Sequence, residues 1–351
     1  MPETGHINIL NLSREQLGEW LAGRGIAAYR AGQIMKWVYH RQKDSFVDMS
    51  DIAKDVRALL PQHFRIPRLN IMAMQTSADG TRKYLFGLED GESIESVLIP
   101  ERDHYTLCVS SQVGCAQDCR FCLTATSRLR RNLSQAEILG QVRDIKNDLP
   151  APEQLTNLVF MGMGEPLANL DNLIGALAIL TDGEVGLGFA AKRVTVSTAG
   201  LVPEMLEFGR QSRVSLAVSL NATDNETRSR LMPINRRYPL EMLLEACRTY
   251  PLPPGRRITF EYILIKGVND TLEDARRLTR LLQPIRCKVN LIPFNPHEGS
   301  SFERPAEETI LAFQEVLLRK HFTVIIRHSR GQDISAACGQ LRARTEGTSN
   351  E

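Results

Sequence analysis

The chain has 351 residues, 42% of them hydrophobic, with a formal net charge of +2. That length can bury a large core and still leave room for one or two smaller modules. The near-neutral charge excludes a strong global field toward nucleic acid, so any such contact must come from local basic patches.

The first residues lack the basic-then-apolar pattern of a signal peptide, and no apolar run approaches a membrane span. A cytoplasmic protein is expected. There, the seven cysteines (Cys108, Cys115, Cys119, Cys122, Cys247, Cys287 and Cys338) read as metal-binding or catalytic groups rather than a disulfide framework.

Residues 1–65 read as all-helical. Ser13 and Gln16 form a capping-box pattern ahead of Leu17, Trp20 and Leu21. Ile34, Trp37 and Val38 mark a second helix. Ile52, Val56, Leu59 and Leu60 mark a third, punctuated by Pro61 and Pro67. Arg14, Arg24, Arg30, Lys36, Arg41 and Lys43 are scattered over this module, as either a solvated face or an RNA-docking surface. Residues 66–103 alternate like short strands, at 83–86 and 94–99, with the turn signal Asp90-Gly91 between them.

From residue 104 strand and helix alternate. Strands are expected at 105–110, 157–161, 193–197, 215–220, 258–264, 288–292 and 323–327. Helices are expected at 134–147, where Ser134 and Glu137 form a second capping box, and at 170–181, 240–250, 271–282 and 306–321. Repeated βα units imply a parallel sheet or barrel, with its site at the C-terminal strand ends. The polar tail after about residue 341 is expected to fray.

Cys115, Cys119 and Cys122 form a Cys-x₃-Cys-x₂-Cys loop just past the first of these strands. Thiolates suit zinc or iron–sulfur clusters. A structural zinc wants four protein ligands, whereas three ligands on a four-iron cluster leave one iron open to a substrate or cofactor. If Cys108 joined the loop as a fourth ligand, the chain would be a zinc-stabilised RNA-binding protein without enzymatic activity. Brown, iron- and sulfide-containing protein after anaerobic purification separates the two readings.

The cysteine loop, with Phe121 before its last cysteine, resembles that of the radical S-adenosylmethionine superfamily. Four further runs, TLCVSSQVGC at 106–115, RNL at 131–133, MGMGEP at 161–166 and ACGQL at 337–341, resemble more specifically the RlmN/Cfr family of RNA adenine methyltransferases, on its RlmN branch. The resemblance covers nearly the whole chain. It implies an α/β fold with a partial (β/α)₆ barrel over 104–330. It also implies an RNA-binding helical accessory domain over 1–65, a β extension over 66–103 and a C-terminal segment, 331–351, with a methyl-carrier cysteine. The implied activity is methylation of adenine carbon 2 in 23S rRNA near the peptidyl-transferase centre, and at adenine-37 of tRNA. The nearest alternative is the Cfr-type methylation of carbon 8 in the same rRNA adenine. The implied cofactors are a [4Fe–4S] cluster on Cys115, Cys119 and Cys122 and two molecules of S-adenosylmethionine per turnover. A flavodoxin or ferredoxin is the implied electron donor and a monomer the implied state.

The resemblance also assigns roles residue by residue. Gly164 and Glu165 hold the methionyl amino group. Ser197, Ser219, Leu220, Asn221 and Asn295 contact the rest of S-adenosylmethionine, although several relatives have His where this chain has Asn221. Cys338 carries the methyl group, Cys108 resolves it through a transient disulfide, and Glu95 accepts the carbon-2 proton, with Glu92 its nearest competitor. Cys247 and Cys287 read as small buried hydrophobes. Arg128, Arg130 and Arg131 follow the cluster loop, as either a solvated run or RNA phosphate contacts.

Overall fold

In the computed structural model, residues 6–297 and 299–341 are described. The polar tail expected to fray lies outside them, as do the first five residues of the N-terminus.

The N-terminal module contains helices α1 (Arg14–Ala22), α2 (Arg30–Met35) and α3 (Lys54–Leu59). The Ser13 cap forms as expected, with Ser13 Oγ accepting from Gln16 N at 3.2 Å and Gln16 Oε1 accepting from Ser13 N at 2.8 Å. Leu17, Leu21, Ile34, Val38 and Leu60 are buried together, and Ile7–Asn8 pairs in parallel with Phe64–Arg65 to close the module. It docks on α4 (Gln135–Asp148) of the main domain. The fully buried Arg143 donates from Nε to Val38 O at 3.2 Å and from Nη2 to Lys43 O at 3.1 Å, and Arg68 pairs with Asp144 at 2.9 Å. Several of the module's cations are engaged. Arg14 and Lys36 face Glu184, and Arg24 and Arg41 stack over Trp20 and Trp37.

One ten-stranded sheet organises the rest. Its strands in chain order are β1 (Asn70–Thr76), β2 (Arg82–Gly87), β3 (Ser93–Pro100), β4 (Tyr105–Cys108), β5 (Leu155–Phe160), β6 (Val194–Thr198), β7 (Ser215–Ser219), β8 (Ile258–Leu264), β9 (Cys287–Pro293) and β10 (Val324–Ile326). They neighbour one another in chain order. β1 to β4 are antiparallel, and β4 to β10 are parallel. The β extension is thus not a separate sheet, since β3 pairs directly with β4, with Val97 opposite Cys108.

Parallel neighbours need crossovers, supplied by α4, α5 (Leu170–Thr181), α6 (Val202–Gln211), α7 (Asn225–Leu231) with α8 (Leu240–Thr249), α9 (Leu272–Leu282) and α10 (Glu307–Leu318). α4 packs on α5, α5 on α6, α6 on α8 and α9 on α10, and the strand order gives six βα units and a seventh strand in an unclosed barrel. The expected strands and helices are present with ends shifted by a few residues. Two helices carried no clear sequence signal. α6 has Pro203 and Gly209 within it, and α7 is a seven-residue, mostly polar helix. No helix among the described residues is long and apolar enough to cross a membrane.

Candidate active site

The cluster loop leaves the C-terminal end of β4. Gln112–Val113 pairs antiparallel with Arg131–Asn132, so the intervening residues form a closed excursion. Gly114 lies at φ +73°, and a Cβ there would come within 2.3 Å of Arg128 O. Only glycine lets the two arms approach this closely. Inside the excursion Cys115 N donates to Ser127 O at 3.2 Å and Cys122 N to Cys119 O at 3.0 Å. Cys119 and Cys122 pack against an apolar group formed by Phe121, Ala199, Leu231, Met232, Ile265 and Phe294.

Burial pushes all three thiols upward, Cys115 to about 12, and the charges of the neighbouring cysteines and of Glu165 add to the rise at Cys119. Bare thiols in this loop are protonated at neutral pH, and a bound cationic centre is what converts them to thiolates. Among the described residues no three His, Cys, Asp or Glu side chains converge as on a single ion. The donor chemistry, three soft sulfurs in one loop, fits an iron–sulfur cluster.

Gly164 and Glu165 follow β5 and face the loop. Gly164 has φ +97°, and a Cβ would lie 2.5 Å from Gln112 Cβ. Glu165 is buried; its Oε2 accepts from Ala199 N at 2.7 Å, its Oε1 from Leu167 N at 3.2 Å, and its own amide donates to Gln112 Oε1 at 2.8 Å. Burial pushes its carboxyl up to about 7 against these hydrogen bonds, and no cation among the described residues pairs with it. A desolvated carboxylate of this kind is suited to an ammonium group.

Ser197 and Ser219 sit half-buried at the ends of β6 and β7. Leu220 is buried, and its amide donates to Glu261 O at 3.0 Å. Two of the expected cofactor contacts are engaged within the protein. Asn221, at φ 58°, accepts from Ile263 N at 2.8 Å and points its amide nitrogen at Met232 Sδ, so it ties β7 to β8. Asn295 donates to Cys338 O at 3.2 Å and accepts from Gln332 Nε2 at 3.1 Å, so it anchors the C-terminal segment.

That segment lies across the cluster loop. Leu123 N donates to Gly339 O at 2.7 Å and Thr124 Oγ1 to Leu341 O at 2.6 Å. Asp333 accepts from Ala78 N at 3.1 Å, pinning the segment to the β1–β2 hairpin. Cys338 and Cys108 consequently line one cavity of about 260 Å³, with Met161, Ile292, Asn295 and Arg327. Cys108 is buried, and Cys338 is exposed toward this space. Desolvation raises the Cys108 thiol, and the charge of Cys338 adds to the rise. Both are free thiols here.

Glu95 is buried, not solvent-facing, and pairs with Lys83 Nζ at 3.3 Å. Ser110 Oγ donates to Glu95 O at 2.6 Å, which fastens β3 to the start of the cluster loop. Glu92 lines a different pocket, beside the N-terminal module. Arg131 departs from the reading of a solvated or RNA-binding run. It makes a two-pronged pair with Glu137, both bonds 2.8 Å, and a third bond to Asp90, so it holds the loop's exit. Arg128 and Arg130 are exposed.

Several residues of the site had no local motif. Arg228 and Glu261 look in sequence like a helix charge and a strand charge, yet both are buried. Glu261 accepts from Asn290 Nδ2 at 2.9 Å and burial pushes its carboxyl up to about 6. Gln112, inside a run already singled out, positions Glu165. The available signal for Glu261 was a carboxylate amid the apolar strand ITFEYIL.

Residues 7–66 match the family model for the ribosomal RNA large subunit methyltransferase N-terminal domain, and residues 109–279 match the radical SAM superfamily. A dual-specificity RNA methyltransferase RlmN of Desulfosudis oleivorans is 58% identical over 95% of this chain and 90% of its own length. The RlmN of Geobacter sulfurreducens is 58% identical over 97% of this chain and 93% of its own. The crystal structure of a radical SAM methyltransferase from Sphaerobacter thermophilus superposes with a TM-score of 0.89 at 44% identity, covering 96% of this chain and all of that one. The chain therefore belongs to the RlmN family of dual-specificity RNA methyltransferases, within the radical SAM superfamily.

Proposed function

We propose that the chain methylates carbon 2 of adenine in 23S rRNA and at adenine-37 of tRNA, through a methyl group carried on Cys338. The observation that supports this best is the shared cavity of Cys338 and Cys108 beside the cysteine loop. Carbon 2 of adenine is electron-poor and does not displace a methyl from a sulfonium. A two-cysteine relay avoids that requirement.

Cys115, Cys119 and Cys122 hold the cluster, and Gly164 and Glu165 orient S-adenosylmethionine. When bound, the cluster supplies the electron that cleaves S-adenosylmethionine and so activates an otherwise inert methyl group. Cys338 sulfur first displaces a methyl from one S-adenosylmethionine, losing its proton and releasing S-adenosylhomocysteine. The S-methyl group then gives up one hydrogen atom to the deoxyadenosyl fragment of a second S-adenosylmethionine, freed together with methionine, which leaves as 5′-deoxyadenosine, and the S-methyl carbon bonds to carbon 2 of the adenine. The adduct gives up one electron, which restores the one that opened the cycle, and the carbon-2 proton passes to Glu95. Cys108, having lost its own proton, attacks Cys338 sulfur; the sulfur–carbon bond breaks with its electron pair on the methylene carbon, which takes up one proton to become the methyl group, methylated RNA leaves, and a Cys108–Cys338 disulfide remains. Two electrons and two protons from a dithiol reductant regenerate both thiols.

This reading places the protein in the cytoplasm as a monomer, with a flavodoxin- or ferredoxin-type donor, and gives residues 1–65 an accessory role in RNA contact. Residues 66–103 then support Glu95, residues 104–330 form the barrel, and residues 331–351 carry Cys338. The test is mass spectrometry of rRNA and tRNA nucleosides from cells with and without the gene. Loss of 2-methyladenosine from both RNAs is expected. Unchanged 2-methyladenosine, or a change confined to 8-methyladenosine, overturns the proposal.

A further inference from the structure

Arg228, on α7, is fully buried. Its Nε donates to Leu220 O at 3.0 Å, its Nη1 to Asn235 Oδ1 at 3.0 Å, and its Nη2 to Ala199 O at 2.8 Å and Ser219 O at 3.2 Å. All four acceptors are neutral. A guanidinium taken out of water without an anion is strongly disfavoured, and burial pushes this one down to about 10. No carboxylate among the described residues pairs with it. A negative charge on the sulfur of Cys119 or Cys247 would favour the ionised guanidinium. Cys247 is buried in α8 and its thiol is pushed up to about 12, so it stays neutral. Cys119 is left as the anion, and only when it is a ligand.

The packing places α7 against the loop independently of that electrostatic reading. Arg120 N donates to Leu231 O at 2.9 Å, and Leu231 and Ala199 belong to the apolar group that covers Cys119 and Cys122. The acceptor carbonyls of Ala199, Ser219 and Leu220 lie at the ends of β6 and β7. One guanidinium therefore gathers two strand ends behind the cysteine loop.

We propose that Arg228 is a positioning residue, the fixed countercharge of the iron–sulfur centre. The inference rests on reading Cys115, Cys119 and Cys122 as cluster ligands. Three thiolates on a doubly positive four-iron core leave one net negative charge, and uptake of one electron makes it two. A fixed cation in a low-dielectric site stabilises the second charge in addition to the first, so it favours the reduced centre. The electron itself comes from a low-potential one-electron donor.

The experiment compares wild type, Arg228→Lys and Arg228→Gln. Each is reconstituted anaerobically, assayed for iron and sulfide, and titrated with dithionite while the reduced centre is followed by electron paramagnetic resonance. At a fixed potential the reduced-to-oxidised ratio of Arg228→Gln is expected to fall roughly tenfold, about 59 mV for one electron, while Arg228→Lys stays near wild type. Equal ratios in all three proteins, or equal falls in both variants, overturn the proposal. Should Arg228→Gln fail to take up iron, uptake by Arg228→Lys supports the charge requirement. Failure of both shows that the guanidinium fork matters rather than its charge, and overturns it. A wild type without iron and sulfide would instead sink the cluster assignment itself.

Discussion

The peptide groups at Ala199 join Arg228 to Glu165: the Ala199 carbonyl accepts from Arg228 Nη2 at 2.8 Å while its amide donates to Glu165 Oε2 at 2.7 Å. The two charged side chains do not pair directly. Neither has a charge partner among the described residues, and in the proposed arrangement the carboxyl serves the S-adenosylmethionine site and the guanidinium the cysteine loop. Separated charges of this kind attract ligands of opposite sign, since neither is cancelled in advance.

Glu165→Gln tests the carboxylate side of that arrangement. The amide keeps the shape and its oxygen can still accept from Ala199 N, while the charge and the acceptor for Leu167 N are lost. A hydrogen bond to a charged group contributes about 1.5–3 kcal/mol, so S-adenosylmethionine affinity is expected to fall roughly 10- to 150-fold. Equilibrium dialysis with radiolabelled S-adenosylmethionine measures it, and an unchanged affinity would remove Glu165 from the site.

Cys108 and Cys338 give opposite signatures. Under the proposed relay, Cys108→Ala keeps the methyl carrier but has no sulfur to resolve the adduct, so a protein–RNA crosslink through Cys338 is expected to accumulate. Cys338→Ala has no methyl carrier; RNA methylation is expected to disappear without any crosslink. Denaturing gels and mass spectrometry of digested protein show both. A crosslink in Cys338→Ala, or none in Cys108→Ala, contradicts the assigned order of steps.

Much of this site was legible because its chemistry sits in contiguous runs. The three loop cysteines carry their own local signature, whereas Gly164-Glu165 and Cys338 took their meaning from the family resemblance, and the βα alternation set the loop and Gly164-Glu165 at strand ends. What escaped was decided by three-dimensional contact. Arg228 lies on a short polar helix with no amphipathic period, and only the strand-end carbonyls around it reveal its burial. Asn221 and Asn295 read as free polar groups at strand ends, whereas their amides are engaged by Ile263 N and by the Cys338 segment. Arg131 looked like one of three equivalent cations, and its partners Asp90 and Glu137 came from different elements.

Gly164→Ala probes the close approach of two backbone segments. The residue is at φ +97°, and a new Cβ would sit 2.5 Å from Gln112 Cβ and 2.8 Å from Gln112 N. Backbone strain alone costs about 1–3 kcal/mol. Because Gln112 also orients Glu165, the displacement is expected to weaken S-adenosylmethionine binding as well as lower the melting temperature. Gly255→Ala is the control: φ is +77° there with nothing within 4 Å of the new Cβ, so it shares the strain without the collision. Equal effects of the two substitutions on S-adenosylmethionine affinity would refute the role of the close approach.

Glu261 provides the pH test. It lies on β8, paired in register with Ser219 on β7 and Asn290 on β9, and its carboxyl is raised to about 6 by burial, with Arg327 and Lys288 opposing the rise. Asn290 Nδ2 donates to it at 2.9 Å, while Asn290 Oδ1 has no hydrogen-bond partner among the described residues. A protonated Glu261 can donate to that orphan oxygen, whereas an ionised one cannot. The folded state therefore prefers the acid form. Its folded pKa lies above the ordinary 4.5, so the stability it contributes is complete below 4.5 and is lost as pH rises through about 6. Glu261→Gln keeps a neutral donor and acceptor at every pH. Relative to wild type it is expected to be unchanged near pH 4.5 and more stable by up to about 2 kcal/mol above pH 7, the equivalent of this shift. Urea denaturation across that range measures the difference. A constant difference between the two proteins would show that folding does not shift the Glu261 carboxyl, and one that grows toward low pH would show that folding lowers it; either contradicts the raised value.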